Sequence, residues 1–116
     1  MEVRDATYRV WFDESSSTVF FEGSLRLGTA DYRPISEILG EVLAKNLPVL
    51  TLHMLELNFL NSSGINTLYK FAIALRKQGI TVVTVRGTTV IAWQTKSLAN
   101  LKKFLPTITI EMQGDE

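Results

Sequence analysis

The chain has 116 residues, 46% hydrophobic and 21% charged, a globular balance with enough apolar side chains for one buried core. It has no cysteine and a single histidine, His53, which removes disulfides, thiol catalysis and multi-histidine metal sites. Lys+Arg and Asp+Glu are 12 each, so the net charge gives no engine for phosphate-tracking nucleic-acid binding.

Residues 8–13 alternate Tyr8, Val10 and Phe12 against Arg9, Trp11 and Asp13, a strand pattern with one more polar face. Residues 14–17 read as a turn, and residues 18–21 resume a strand that continues to Leu27 across Gly23. Together they predict an antiparallel hairpin. Gly28, Thr29, Ala30 and Asp31 break the pattern and offer a helix cap. Ile35, Ile38, Leu39, Val42, Leu43 and Leu47 then form an apolar stripe at helical spacing, with Pro34 tolerated in the first turn and Asn46 and Pro48 ending it.

Residues 49–57 carry branched apolar side chains at both alternations, which predicts a strand buried on both faces. Residues 58–64 are a connection. Ile65, Leu68, Tyr69, Ala72, Ile73, Leu75 and Arg76 give a second helical period, closed by Gly79. Residues 80–85 predict a short buried strand, followed by a turn at residues 87–89. A helix over residues 91–104 points Leu98, Leu101 and Phe104 inward and stops at Pro106; residues 107–112 give a last strand and residues 113–116 a frayed tail. The order β-β-α-β-α-β-α-β predicts an α/β fold, a mixed central sheet with helices packed against it, in one domain spanning residues 1–116.

The most informative passage is Leu57-Asn58-Phe59-Leu60-Asn61-Ser62-Ser63-Gly64-Ile65. A buried strand runs through small polar residues directly into an amphipathic helix. Asn61, Ser62 and Ser63 all suit an N-cap, and the helix start tolerates negative charge. A hydroxyl exposed there can accept a phosphoryl group. From spacing alone, such a run before a helix is usually only a cap and a tight turn.

Residues 59–65 (FLNSSGI) closely resemble the phosphorylation-loop motif of anti-sigma factor antagonists, which are STAS-domain proteins. Phe21-Glu22-Gly23-Ser24-Leu25 resembles a step in that family's second strand, and Gly79-Ile80-Thr81-Val82-Val83 its helix-to-strand turn. The resemblance spans residues 8–112 and implies the STAS fold and a regulatory switch without catalytic residues, metal or cofactor. It implies an anti-sigma factor or related serine kinase as partner, phosphorylation at Ser63 with Ser62 as second choice, and reversal by a PP2C-type phosphatase. The implied partner surface comprises Asn61, Ser62, Gly64, Ile65 and Asn66, with Gly28, Thr29 and Asp31 from the loop before the first helix. Two positions depart from the family: Asn61 replaces the usual acidic residue, and His53 stands where Asp is frequent.

A second reading is a STAS adaptor subunit of a larger complex, such as a lipid-transport ATPase, without the switch. An enzyme is disfavoured, because Asp13, Glu14, Asp31 and Glu56 show no acid–base pairing and no phosphate-cradling loop is present. His53 is expected to be hydrogen-bonded structure, Trp11 and Trp93 half-buried packing, and Arg26, Arg33, Lys102 and Lys103 solvated charges. The charged N-terminus and the absence of an apolar run of about 20 residues predict a cytoplasmic protein with no membrane insertion. The expected state is a monomer or weak dimer, paired through the strand edge.

Overall fold

Six strands form one sheet whose spatial order is the chain order: β1 (Glu2–Arg4), β2 (Tyr8–Asp13), β3 (Thr18–Leu25), β4 (Val49–Leu60), β5 (Val82–Thr88) and β6 (Thr109–Gln113). This computed structural model describes residues 1–79 and 81–114. The first three strands pair antiparallel, and β3, β4, β5 and β6 pair parallel. Helices α1 (Arg33–Ala44), α2 (Ser62–Gln78), α3 (Ala92–Ala99) and α4 (Leu101–Phe104) fill the crossovers, and a 3-10 turn at Thr29–Tyr32 precedes α1.

The topology decides where the helices go. Parallel crossovers are right-handed, and here each one steps the same way across the sheet. All helices therefore fall on one face. Leu50, Leu52, Met54, Leu57 and Leu60 of β4 point into that layer and are at most 5% exposed. They pack with Ile35, Ile38, Leu39 and Val42 of α1 and with Leu68, Phe71, Ala72 and Leu75 of α2.

Among the described residues the other face has no helix on it. Thr51, His53 and Leu55 lie there half-buried, which corrects the expectation of a strand buried on both faces. Trp11 stacks on Phe20 with ring centroids 4.8 Å apart, and Phe20 contacts His53 at 4.9 Å. Arg9 covers the Trp11 ring at 3.8 Å. These side chains shield one another in a row across adjacent strands, which substitutes for a covering layer. His53 packs against this stack, and its buried Nδ1 has no hydrogen-bond partner among the described residues, which departs from the hydrogen-bonded role expected of it.

Other differences are local. Strand β1 is too short and polar to show a pattern, and it forms because β2 offers an edge. The connection expected at residues 58–64 is divided between β4, which runs to Leu60, and α2, which begins at Ser62. The single helix expected over residues 91–104 breaks into two at Asn100. Ile73 is 37% exposed although it shares the helical period of the core residues. Residue 80, within the expected strand, and residues 115–116, within the expected tail, lie outside the described residues.

Gly23 sits at a register shift in β3 with φ +91, and a Cβ there would lie 2.1 Å from the Thr7 carbonyl. Only glycine allows this approach, from which Ser24 N donates to Thr7 O at 2.9 Å. No helix among the described residues is long and apolar enough to cross a membrane.

β4 and β5 stay paired only from Val49↔Val82 to His53↔Arg86. Beyond that point β4 carbonyls lose their ladder partners. The fully buried Gln94 supplies substitutes: its Nε2 donates to Met54 O at 2.7 Å and Leu57 O at 2.9 Å, and its Oε1 accepts from Thr88 N at 2.8 Å. Trp93 Nε1 adds a bond to Leu57 O at 3.1 Å. Gln94→Met keeps the volume and strands these backbone groups, so we expect a loss of about 2–4 kcal/mol in urea unfolding. Trp93→Phe leaves Leu57 O bonded to Gln94 and should cost about 1 kcal/mol or less from the lost bond. Equal losses for the two variants would contradict this account.

Candidate functional site

The site lies where the carboxyl ends of β3 and β4 meet the start of α2. Asn61 leaves β4 in an extended conformation, φ −80 and ψ 176, and caps the helix. Its Oδ1 accepts from Gly64 N at 3.0 Å and from the Tyr32 hydroxyl at 2.6 Å. Its Nδ2 donates to Leu27 O at 2.8 Å. One side chain thereby ties together the helix start, the β3–α1 connection and the turn before α1. A carboxylate at this position could cap the helix but could not donate to Leu27. The amide that departs from the family motif is therefore fitted to its surroundings.

Tyr32 is 3% exposed, and its hydroxyl also lies 3.2 Å from Leu25 O. Burial pushes the Tyr32 phenol above the ordinary tyrosine value, partly offset by a backbone hydrogen bond at Leu27. The phenol stays protonated and remains a donor throughout the neutral range. Gly64 is buried directly beneath it: an added Cβ would meet Leu60 Cδ1 at 2.2 Å and the Tyr32 hydroxyl at 2.7 Å. Here glycine is demanded by close approach rather than by backbone angle. Gly64 therefore supports the site from below and offers no contact surface.

Ser62 and Ser63 occupy the first turn of α2. Ser62 is exposed and Ser63 half-buried. The Ser63 and Thr29 hydroxyls lie 3.0 Å apart, which fixes the Ser63 side chain against the other loop. Ser63 O accepts from Thr67 Oγ1 at 2.9 Å one turn on. The structure thus brings Asn61, Ser63 and Thr29 together. Gly28 and Asp31 bracket the same loop, with Asp31 N donating to Gly28 O at 2.9 Å. Asn66 is exposed further along α2, while Ile65 packs against the core cluster.

Two residues of this network were not legible in the sequence. Tyr32 reads as an ordinary apolar residue entering a helix, and Leu27 contributes only its carbonyl. No group of three potential metal-ligating side chains occurs among the described residues. Arg33 and Ser36 line a shallow groove with Thr29 and Ala30 beside the site.

No known protein-family profile matches the chain, and no curated protein matches it significantly. Solved structures do. A chain in the crystal structure of the diguanylate cyclase SiaD in complex with its activator SiaC, from Pseudomonas aeruginosa, superposes with a TM-score of 0.75 and 14% identity, covering 99% of each chain. SiaC of Pseudomonas aeruginosa superposes with a TM-score of 0.73 and 14% identity, covering 99% of this chain and 98% of that one. An anti-sigma factor antagonist from Mycobacterium paratuberculosis gives a TM-score of 0.60 and 24% identity, covering 89% of this chain and 84% of that one. The chain has this STAS-like fold, as its motif suggested. The neighbours are named as an activator and an antagonist, both regulators.

Asn61→Ala removes the cap and strands the Leu27 carbonyl, so we expect a loss of about 1–3 kcal/mol in denaturant unfolding. The raised Tyr32 pKa gives stability that is full below pH about 10 and lost as pH rises above it. A pH series of unfolding midpoints should therefore fall less steeply in Tyr32→Phe than in the parent above pH about 10. Identical slopes would contradict the burial account.

Proposed function

We propose that the chain is a regulatory protein-binding module switched by phosphorylation of Ser63. The observation that carries this reading is the braced Ser63 hydroxyl at the start of α2, 3.0 Å from Thr29 on the neighbouring loop. The surface formed by Ser62, Ser63, Asn66, Thr29 and Asp31 docks the partner in the unmodified state.

A serine kinase transfers the γ-phosphoryl group of ATP to Ser63 Oγ. The O–P bond forms, ADP departs, and the hydroxyl proton passes to the kinase. Phosphorylation adds about two negative charges to the contact surface and disrupts it by repulsion and desolvation. The helix start favours negative charge, so the modification alters binding without unfolding the domain. A PP2C-type phosphatase restores the binding form. ATP-dependent regulation places this cycle in the cytoplasm, and the chain itself needs no cofactor. Strand β1 and strand β6 are short edges, which suits a monomer or weak dimer.

The sequence motif supports an anti-sigma factor or related kinase as partner. The match over 99% of both chains to the structure of an activator bound to a diguanylate cyclase supports an effector enzyme of that kind instead. We favour the effector enzyme, because the anti-sigma factor antagonist superposes over less of either chain.

The test is recovery of the partner from the source cells with tagged variants. Ser63→Ala should retain the complex, and Ser63→Glu should weaken it at least about tenfold while circular dichroism and melting temperature stay unchanged. A stable complex with a transport ATPase that is indifferent to both variants would replace the switch with the adaptor role.

A further inference from the structure

The balanced net charge conceals a polarised molecule. Between Glu56 and Glu111 the chain has no acidic residue. That span includes α2, α3 and α4, whose exposed charges are Lys70, Arg76, Lys77, Lys96, Lys102 and Lys103. None of these six makes an ion pair among the described residues; the ion pairs there are Arg9–Glu2, Lys45–Glu14 and Arg86–Glu111. Exposed acids of the helical layer, Asp31, Glu37 and Glu41, sit instead on the turn before α1 and on α1 itself.

Three of these basic residues, Arg76, Lys77 and Lys103, rim an apolar groove. Ile73, Arg76, Lys77, Lys103 and Phe104 line it where the end of α2 meets α4. Ile73 is 37% exposed, and Phe104 stacks on Tyr69 at 4.6 Å, which holds the aromatic floor in place. Basic residues in the last turn of α2 complement its dipole, which accounts for Arg76 and Lys77. Lys102 and Lys103 likewise end the one-turn α4, but helix ends taken singly do not account for the two sets of like charges converging with no acid in the groove between them, since such charges repel.

We propose that this groove is a second docking surface, for an acidic amphipathic segment of a partner protein, with an apolar side chain seated on Ile73 and Phe104. An apolar centre with a charged rim is the anatomy of a protein interface, and charge complementarity fixes the sign of the partner. A nucleic acid fits less well, because the molecule as a whole has no positive excess. The groove lies about 20 Å along α2 from Ser63, at about 1.5 Å of rise per residue, so one partner can engage both ends of the helix. The groove stands independently of the Ser63 switch.

The test is an NMR titration of the isotopically labelled full chain with a synthetic amphipathic helix bearing glutamates on one face and leucines on the other. Amide shifts should cluster at Ile73, Arg76, Lys77, Lys103 and Phe104, and affinity should fall as salt rises. Lys77→Glu with Lys103→Glu should weaken binding at least about tenfold. Both sites are exposed, so the fold should be unaffected by circular dichroism. Ser63→Glu should leave peptide binding unchanged, which separates this surface from the switch. Shifts elsewhere, or equal affinity in the charge-reversed variant, would overturn the proposal. So would tighter binding of a single-stranded oligonucleotide or of phosphatidylserine vesicles, or self-association abolished by the same reversal.

Discussion

The geometry of the candidate site depends on how Asn61 uses its amide. The carbonyl oxygen caps α2 and accepts a hydrogen bond from the Tyr32 hydroxyl, while the nitrogen donates to Leu27 O. These contacts fix the angle at which α2 leaves β4 and the distance of the β3–α1 connection from it. The Ser63–Thr29 contact is a consequence of that spacing. Gly64 completes the arrangement, because no larger residue lets Leu60 and Tyr32 pack under the first turn. The helix start is pre-organised by these contacts, so the proposed docking would need little rearrangement.

The sheet order is the second constraint. Strands added in one direction put every crossover on one face, which concentrates α1, α2, α3 and α4 in a single layer. That layer carries the proposed switch at one end of α2 and a basic groove at the other. The opposite face is left to a stacked row of Trp11, Phe20 and His53. The division of charge follows the same geometry: acidic side chains lie on α1, and the later helices are wholly basic.

The order of the longer elements was legible because hydrophobic period and turn residues agreed along the chain. Asn46 adopts φ 52 and Gly79 φ 76, the left-handed geometry that ends a helix, so those two stops were readable as chemistry. Strand β4 misled because β-branched and apolar residues on its second face suggest a covering layer, whereas Thr51, His53 and Leu55 are shielded only by neighbouring strands. Ile73 misled for the opposite reason: it keeps the helical period but lies at the edge of the layer, where α4 leaves a groove. Tyr32 and Gln94 act through partners 29 and 40 residues away, a pairing that no local pattern encodes. The acid-free stretch was visible in the sequence, but a net charge of zero hides it unless charge is counted by segment.

The central claim is that Ser63 carries the switch. The most direct measurement is intact mass and phosphopeptide mapping of the protein from its own cells, before and after phosphatase treatment. The account predicts a single phosphate on Ser63 that phosphatase removes. Phosphate confined to Ser62 or another hydroxyl, or protein unmodified across growth and stress conditions, would contradict it.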